Sequence, residues 1–238
     1  PADLPKEGAL LDLAIAVGMA QAAGFAPINA PALFMGELAL DGRLRAVRGA
    51  VPAAVLAREM NVPLYVAVDN AAEVSLVQGV HAFQVETLAD LLAHLRGEKE
   101  LSPVAPVPFS EEQSAPDPDL SDIKGQYAAK RALEIAAAGH HNLLLTGSPG
   151  SGKTLLARAL QGILPSLSDE EQMEVLLVRS TAGLSLDSGR QRPFRVVHHT
   201  ASSVAVCGGG ASLRPGEVTL AHRGVLFLDE FPEFSRDV

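Results

Sequence analysis

The chain has 238 residues, 47% of them hydrophobic and 4% aromatic, with a formal net charge of −9 and a single cysteine. Length and apolar content support two domains with separate cores and exclude a disordered chain; one cysteine excludes an internal disulfide, and no apolar run approaches the roughly 20 residues that cross a bilayer, so the reading is a cytoplasmic protein with no membrane partner. With no Trp and few aromatics it is not a base-stacking platform, so a nucleic-acid partner is expected to be held by its backbone.

Pro1 in place of Met, and a sequence that stops soon after a strand, read as a segment cut from a longer chain. In the first 97 residues, "LLDLAIAVGMAQAAG" predicts a helix stopped at Gly24. "LFMGELAL" and "RLRAV" flank Asp41-Gly42, a hairpin turn signal. A helix around "AAVLAREM", an apolar strand "PLYVAV" and an amphipathic helix "ETLADLLAHL" complete an α/β domain over 1–97. Residues 98–119 hold proline and acid without apolar periodicity and predict an extended, solvated linker.

From 120 to 238 the pattern alternates. "YAAKRALEIAAAG" is a helix stopped by Gly139, "NLLLTG" a short buried strand, and "TLLARALQGIL" a helix closed by Pro165. "SDEEQMEVLLVRS" is a helix opening on a capping box, Ser168 with Glu171, and "VLFLDE" is a second buried strand. Strands alternating with helices predict a parallel sheet.

Residues 147–154, "GSPGSGKT", match the phosphate-binding loop pattern at every fixed position. Gly147, Ser148, Pro149, Gly150, Ser151 and Gly152 turn successive backbone N–H groups around a β-phosphate. The following helix aims its positive end there, Lys153 reaches the β and γ oxygens, and Thr154 ligates Mg²⁺. Leu155, next on the helix, belongs to the same nucleotide-binding set. Asp229 at the end of "VLFLDE" is the second Mg²⁺ residue, and Glu230 beside it the catalytic residue that orients or deprotonates the attacking water, with Lys153 as its catalytic partner. ATP and Mg²⁺ are the implied cofactors.

Between the two halves of this site lies "RPFRVVHHTASSVAVCGGG". From 188 to 216 there is no acid, while Arg190, Arg192, Arg195 and Arg214 are present. The composition leaves three readings open: a solvated basic loop, a metal site, or a substrate contact. A zinc site needs about four ligands, and only His198, His199 and Cys207 are at hand, with adjacent histidines pointing apart if extended. The triple glycine suits a hinge, and Cys207 a small packed residue.

The downstream half, "DIKGQYAAKRALEIAAAGHHNLLLTGSPGSGKT" through "RPFRVVHHTAS", "GGG" and "RPGEVTLAHRGVLFLDEFPEF", resembles the magnesium-chelatase-like branch of AAA+ ATPases, and within it the competence-associated YifB/ComM family. The resemblance implies a hexameric ring motor acting on DNA, associated with branch migration in recombination of incoming DNA. It also implies that Ile123 and Gly125 lie near the adenine, and that the excursion is a pore-facing insert in which Arg192, Arg195, His198 and His199 contact DNA. The upstream half, "PKEGALLDLAIA" then "GELALDGRLRAVRGAVPAA", resembles the Lon-type protease fold. The catalytic serine position of that fold falls on Leu10 and the lysine position on Val51, and neither can act as nucleophile or base, which implies an inactive scaffold. Remodelling of a protein partner by a chelatase-like motor, and a Lon-like peptidase, are the competing readings.

Overall fold

Two compact units make up the chain, Pro1–Pro108 with Arg179–Leu186, and Phe109–Val178 with Asp187–Val238. The computed structural model describes residues 9–110, 118–186, 188–210 and 213–236.

In the first unit a 3₁₀ turn, Ala9–Leu11, leads into helix α1, Asp12–Ala22. Asp12 in its first turn complements the helix dipole, Leu13 and Val17 four residues apart bury one stripe, and Gly24 follows with φ +81°. Strand β1 is Leu33–Met35. The Asp41-Gly42 signal folds as predicted: β2, Glu37–Leu38, pairs antiparallel with β3, Leu44–Arg45, and Gly42 takes the left-handed φ of +84°. Helix α2, Ala50–Met60, buries Ala50, Val51, Ala54 and Ala57 and ends at Asn61, whose left-handed φ that residue type tolerates. Strand β4, Leu64–Ala67, is buried along its whole length because it is central in the parallel order β1-β4-β5. Helix α3, Ala71–Val74, precedes β5, Ala82–Val85, and α4, Leu88–Leu95, starts from Thr87, whose hydroxyl accepts the Asp90 N–H. Strand register aligns Phe34, Tyr65 and Phe83, whose rings stack at 5.1 and 5.4 Å.

The described start of the segment expected to be a solvated linker is packed against β5. Leu101 and Val104 are buried, Gln84 donates its N–H to the Ser102 carbonyl, and the Val104 N–H donates to Ala82. The prolines suit this edge position because they lack a donor that a sheet would need. The most acidic part, 111–117, lies outside the described residues.

In the second unit helix α5, Tyr127–Gly139, packs on helix α6, Lys153–Ile163, through Ile123, Leu133, Leu156 and Ala159. The left-handed stop of α5 is His140, φ +53°, one residue past the predicted Gly139. Helix α7, Asp169–Ala182, opens on the predicted capping box, with Ser168 Oγ accepting from the Glu171 N–H and Glu171 Oε2 from the Ser168 N–H. The described part of the excursion after it carries regular elements. Strand β6, Phe194–Val197, is followed by helix α8, Ser203–Cys207, the short pair β7, Gly208–Gly209, and β8, Arg214–Pro215, then helix α9, Glu217–Leu220. Strand β9, Val225–Leu228, returns parallel to β6, with Val197 opposite Leu228, and a 3₁₀ turn, Phe231–Glu233, follows. Gly224 lets β9 start against Pro193, where a Cβ would overlap the Pro193 carbonyl.

One predicted strand does not form. Residues 142–146 have no regular structure and pair with no strand among the described residues, and Leu144 is 74% exposed. An isolated segment has no ladder to complete, and among the described residues β9 pairs with β6 alone. Strand β9 itself is half-buried rather than buried.

Candidate nucleotide-binding site

The loop 147–154 has the backbone that its glycines imply. Gly150 and Gly152 take φ of +76° and +86°, values that only glycine adopts freely, and Gly152 hands the chain directly to Lys153 as the first residue of α6. The free N–H groups and positive end of an 11-residue helix therefore face the loop. Lys153 Nζ lies over it, donating to the carbonyls of Gly147 at 2.9 Å and Ser148 at 3.0 Å. Gln126, left-handed at the start of α5, donates from Nε2 to the Ser151 carbonyl at 3.4 Å. Thr154 and Leu155 are exposed, Gly125 takes φ +69°, and Ile123 is 6% exposed within the α5–α6 core. Ile123 thus packs in the core shared by α5 and α6, the helix that carries Lys153, and Gly125 lies between Ile123 and the start of α5.

At the end of β9 the Asp229 N–H donates to the Val197 carbonyl, and Asp229 Oδ1 accepts the Glu230 N–H. Glu230 sits at φ +54°, a left-handed position that costs a non-glycine residue about 1–3 kcal/mol and is characteristic of functional sites. Its Oε2 is 2.8 Å from His199 Nδ1 and 3.8 Å from His198 Nε2. Parallel pairing explains the meeting: β6 and β9 end in register, so the residues after Val197 and after Leu228 emerge at the same sheet edge. Among the described residues no hydrogen bond or ion pair joins the loop to Asp229 or Glu230.

The family magnesium chelatase, subunit ChlI, matches residues 119–238, and a second description of the same subunit matches residues 1–70. The chain belongs to the magnesium chelatase ChlI-subunit family. It is 46% identical over 251 residues to competence protein ComM of Haemophilus influenzae, covering 100% of this chain and 48% of ComM. It is 47% identical over 242 residues to YifB of Salmonella typhimurium, covering 99% of this chain and 47% of YifB. The ChlI-family chain thus spans about half the length of the curated relatives it matches. A shorter similarity, 40% over 55 residues, links 23% of the chain to 8% of the archaeal Lon protease of Halobacterium salinarum. The α/β architecture with parallel sheets agrees with both resemblances, and no described helix is long and apolar enough to cross a membrane.

Two positions marked by the Lon resemblance are accounted for. Leu10 lies in the 3₁₀ turn, 39% exposed, and Val51 is fully buried in α2, its N–H donating to Ser180 Oγ. Ser180 in turn donates to Glu73, but Ser180 is 1% exposed and burial pushes the Glu73 carboxyl up, a packed pair rather than a reactive one.

The basic excursion of this ChlI-family chain is neutralised from outside itself. Arg190 pairs with Asp169, Arg192 with Glu171, and Arg195 with Glu217 through two bonds of 2.6 and 2.8 Å. Arg192 is 8% exposed, and its guanidinium also donates to the carbonyls of Pro165 and Arg223. Burial and three internal acceptors commit Nε and one N–H on each terminal nitrogen, so Arg192 ties α7 to the segments leading into β6 and β9, and Arg195 is largely committed to Glu217. His198 and His199 stand beside Glu230 rather than on a free loop, and they do not point apart, because β6 ends at Val197 and the turn stacks their rings at 4.1 Å. Cys207 is exposed and not packed. The three glycines are not a plain hinge: all have φ between +77° and +102°, and the backbones of Gly208 and Gly216 pass so closely that a Cβ on either would overlap the other.

Proposed function

We propose that this chain binds ATP with Mg²⁺ through 147–154 and Asp229 and belongs to a ring motor that hydrolyses ATP with Glu230 as general base and works on DNA. The observation that carries the ATP reading is the left-handed Gly150 and Gly152 delivering Lys153 to the first position of α6, an anion cradle with a cation at its mouth. Thr154, Leu155, Ile123 and Gly125 complete the nucleotide set in this reading. Thr154 and Asp229 would hold Mg²⁺, which would supply positive charge to offset the negative charge developing on the phosphate oxygens. The hexameric ring, and branch migration of incoming DNA, rest on similarity to a protein named for competence.

A second reading, remodelling of a protein partner, is favoured by one specific observation: Arg192 and Arg195 are paired internally, which leaves Arg214 as the arginine of the excursion without an ion pair among the described residues. ATPase stimulation by branched DNA in the intact protein separates the two. Stimulation that is absent at low salt, where phosphate contacts are strongest, counts against the DNA motor.

A further inference from the structure

The His198 and His199 side chains meet Glu230 in a cluster whose two imidazoles the ATP reading does not use. One ligand atom from each lies within 4.8 Å of the other two. From these three side chains we propose a binding site for a borderline-soft divalent cation of the zinc class, held by His198 Nε2, His199 Nδ1 and Glu230 Oε2, with solvent completing the coordination.

The geometry is close to what such an ion needs. A tetrahedral ion with bonds of about 2.0–2.2 Å keeps its ligands about 3.3–3.6 Å apart; here Glu230 Oε2 is 2.8 Å from His199 Nδ1 and 3.8 Å from His198 Nε2. These two values straddle the required range, and the third separation, between the two imidazole nitrogens, is bounded at 4.8 Å, so binding calls for torsional adjustment of the side chains. His199 Nδ1 supplies an independent sign. It is buried and makes no hydrogen bond, although Glu230 Oε2 lies 2.8 Å away. Buried ring nitrogens are rarely left without a partner, and a metal ion is one that satisfies a lone pair. On the other side, His198 Nδ1 is 3.0 Å from Thr200 Oγ1 and accepts the Thr200 N–H at 3.4 Å; metal at Nε2 requires the other tautomer, in which Nδ1–H donates to Thr200 Oγ1 and the longer contact is given up. Two imidazoles with one carboxylate select zinc, cobalt or nickel over Mg²⁺, which prefers oxygen ligands. The site also shares Glu230 with the proposed general base, so an ion there withdraws the carboxylate from a water nucleophile. Metal binding itself does not depend on the ATPase reading.

Titration of the chain with Co²⁺ in the absence of nucleotide and Mg²⁺, followed by its visible absorption, tests the assignment. Saturable binding of one ion is expected, weakened about tenfold or more by His199→Ala and by Glu230→Gln. His198→Ala, a substitution at an exposed ring that leaves the fold intact by thermal melting, weakens it likewise. A His140→Ala/His141→Ala variant, altering the other adjacent and exposed histidine pair, retains wild-type affinity. Binding lost in that variant, or unchanged in the three cluster variants, overturns the site.

Discussion

Lys153 is the one cation of the loop, and its Nζ sits within 3.0 Å of two loop carbonyls. Charge-assisted bonds to phosphate are worth about 1.5–3 kcal/mol each. Lys153→Ala is therefore expected to weaken ATP binding at least about tenfold by calorimetry, with thermal stability little changed. Arg192 behaves oppositely. Removing one partner of a buried ion pair costs about 3–5 kcal/mol, and Arg192→Ala also strands the Pro165 and Arg223 carbonyls. Chemical denaturation should show a loss of that order with nucleotide affinity retained, and Arg192→Lys should rescue only part of it, since an ammonium cannot span three acceptors in a fixed plane. Both residues were readable in the sequence as cations, but only the setting of Lys153, at the end of a glycine loop and the start of a helix, was readable. A phosphate loop is a local pattern whose partners lie within eight residues, whereas the acids that claim Arg190, Arg192 and Arg195 come from α7 and α9, 21 residues or more away.

The same distinction governs the elements. Helix stops, the capping box and the Asp41-Gly42 hairpin were legible because neighbouring residues decide them. Residues 142–146 carry a strand composition, yet composition cannot supply the neighbour that a ladder requires. The meeting of His199 with Glu230 was also out of reach, although "FRVV" before the histidines and "VLFL" before the acids are two strand signals whose parallel pairing would have announced it. The triple glycine was visible, but its reason was not: β7 and the residue after β8 need backbone contact. Gly216→Ala pushes a methyl into the backbone of Gly208, Val206 and Cys207, an overpacking expected to cost about 1–3 kcal/mol. Differential scanning calorimetry should register a lowered melting temperature, whereas Gly18→Ala in α1, where a Cβ meets nothing within 4 Å, should not destabilise. Equal melting temperatures of Gly216→Ala and wild type would remove the close-packing explanation of the glycines.

Across the whole molecule the −9 net charge conceals local balance, and this sets how the protein meets acid. Glu174 is held down to about 2 by the Arg223 guanidinium, which donates to both carboxylate oxygens at 2.6 and 3.0 Å, and then by His222 at 2.8 Å. Glu171 is also lowered: burial pushes its carboxyl up, but the Ser168 N–H and the Arg192 and Arg223 guanidinium groups more than offset this. Both carboxyls lie below their ordinary value in the folded chain, so the unfolded chain binds protons first as pH falls. Their contribution is complete above about pH 4.3, the unfolded glutamate value, and for Glu174 it fades progressively as pH falls toward about 2. Glu174→Gln removes the titrating group. Its stability should therefore depend less steeply on pH than that of wild type between about 4.3 and 2, with the two curves running parallel above that window. Urea midpoints measured across this range check the claim, and added salt should narrow the difference because the cluster is solvent-exposed. Parallel curves through the acid window would mean that Glu174 has the same proton affinity folded and unfolded, and that the ion pairs tying α7 to the turn before β9 contribute nothing to acid resistance.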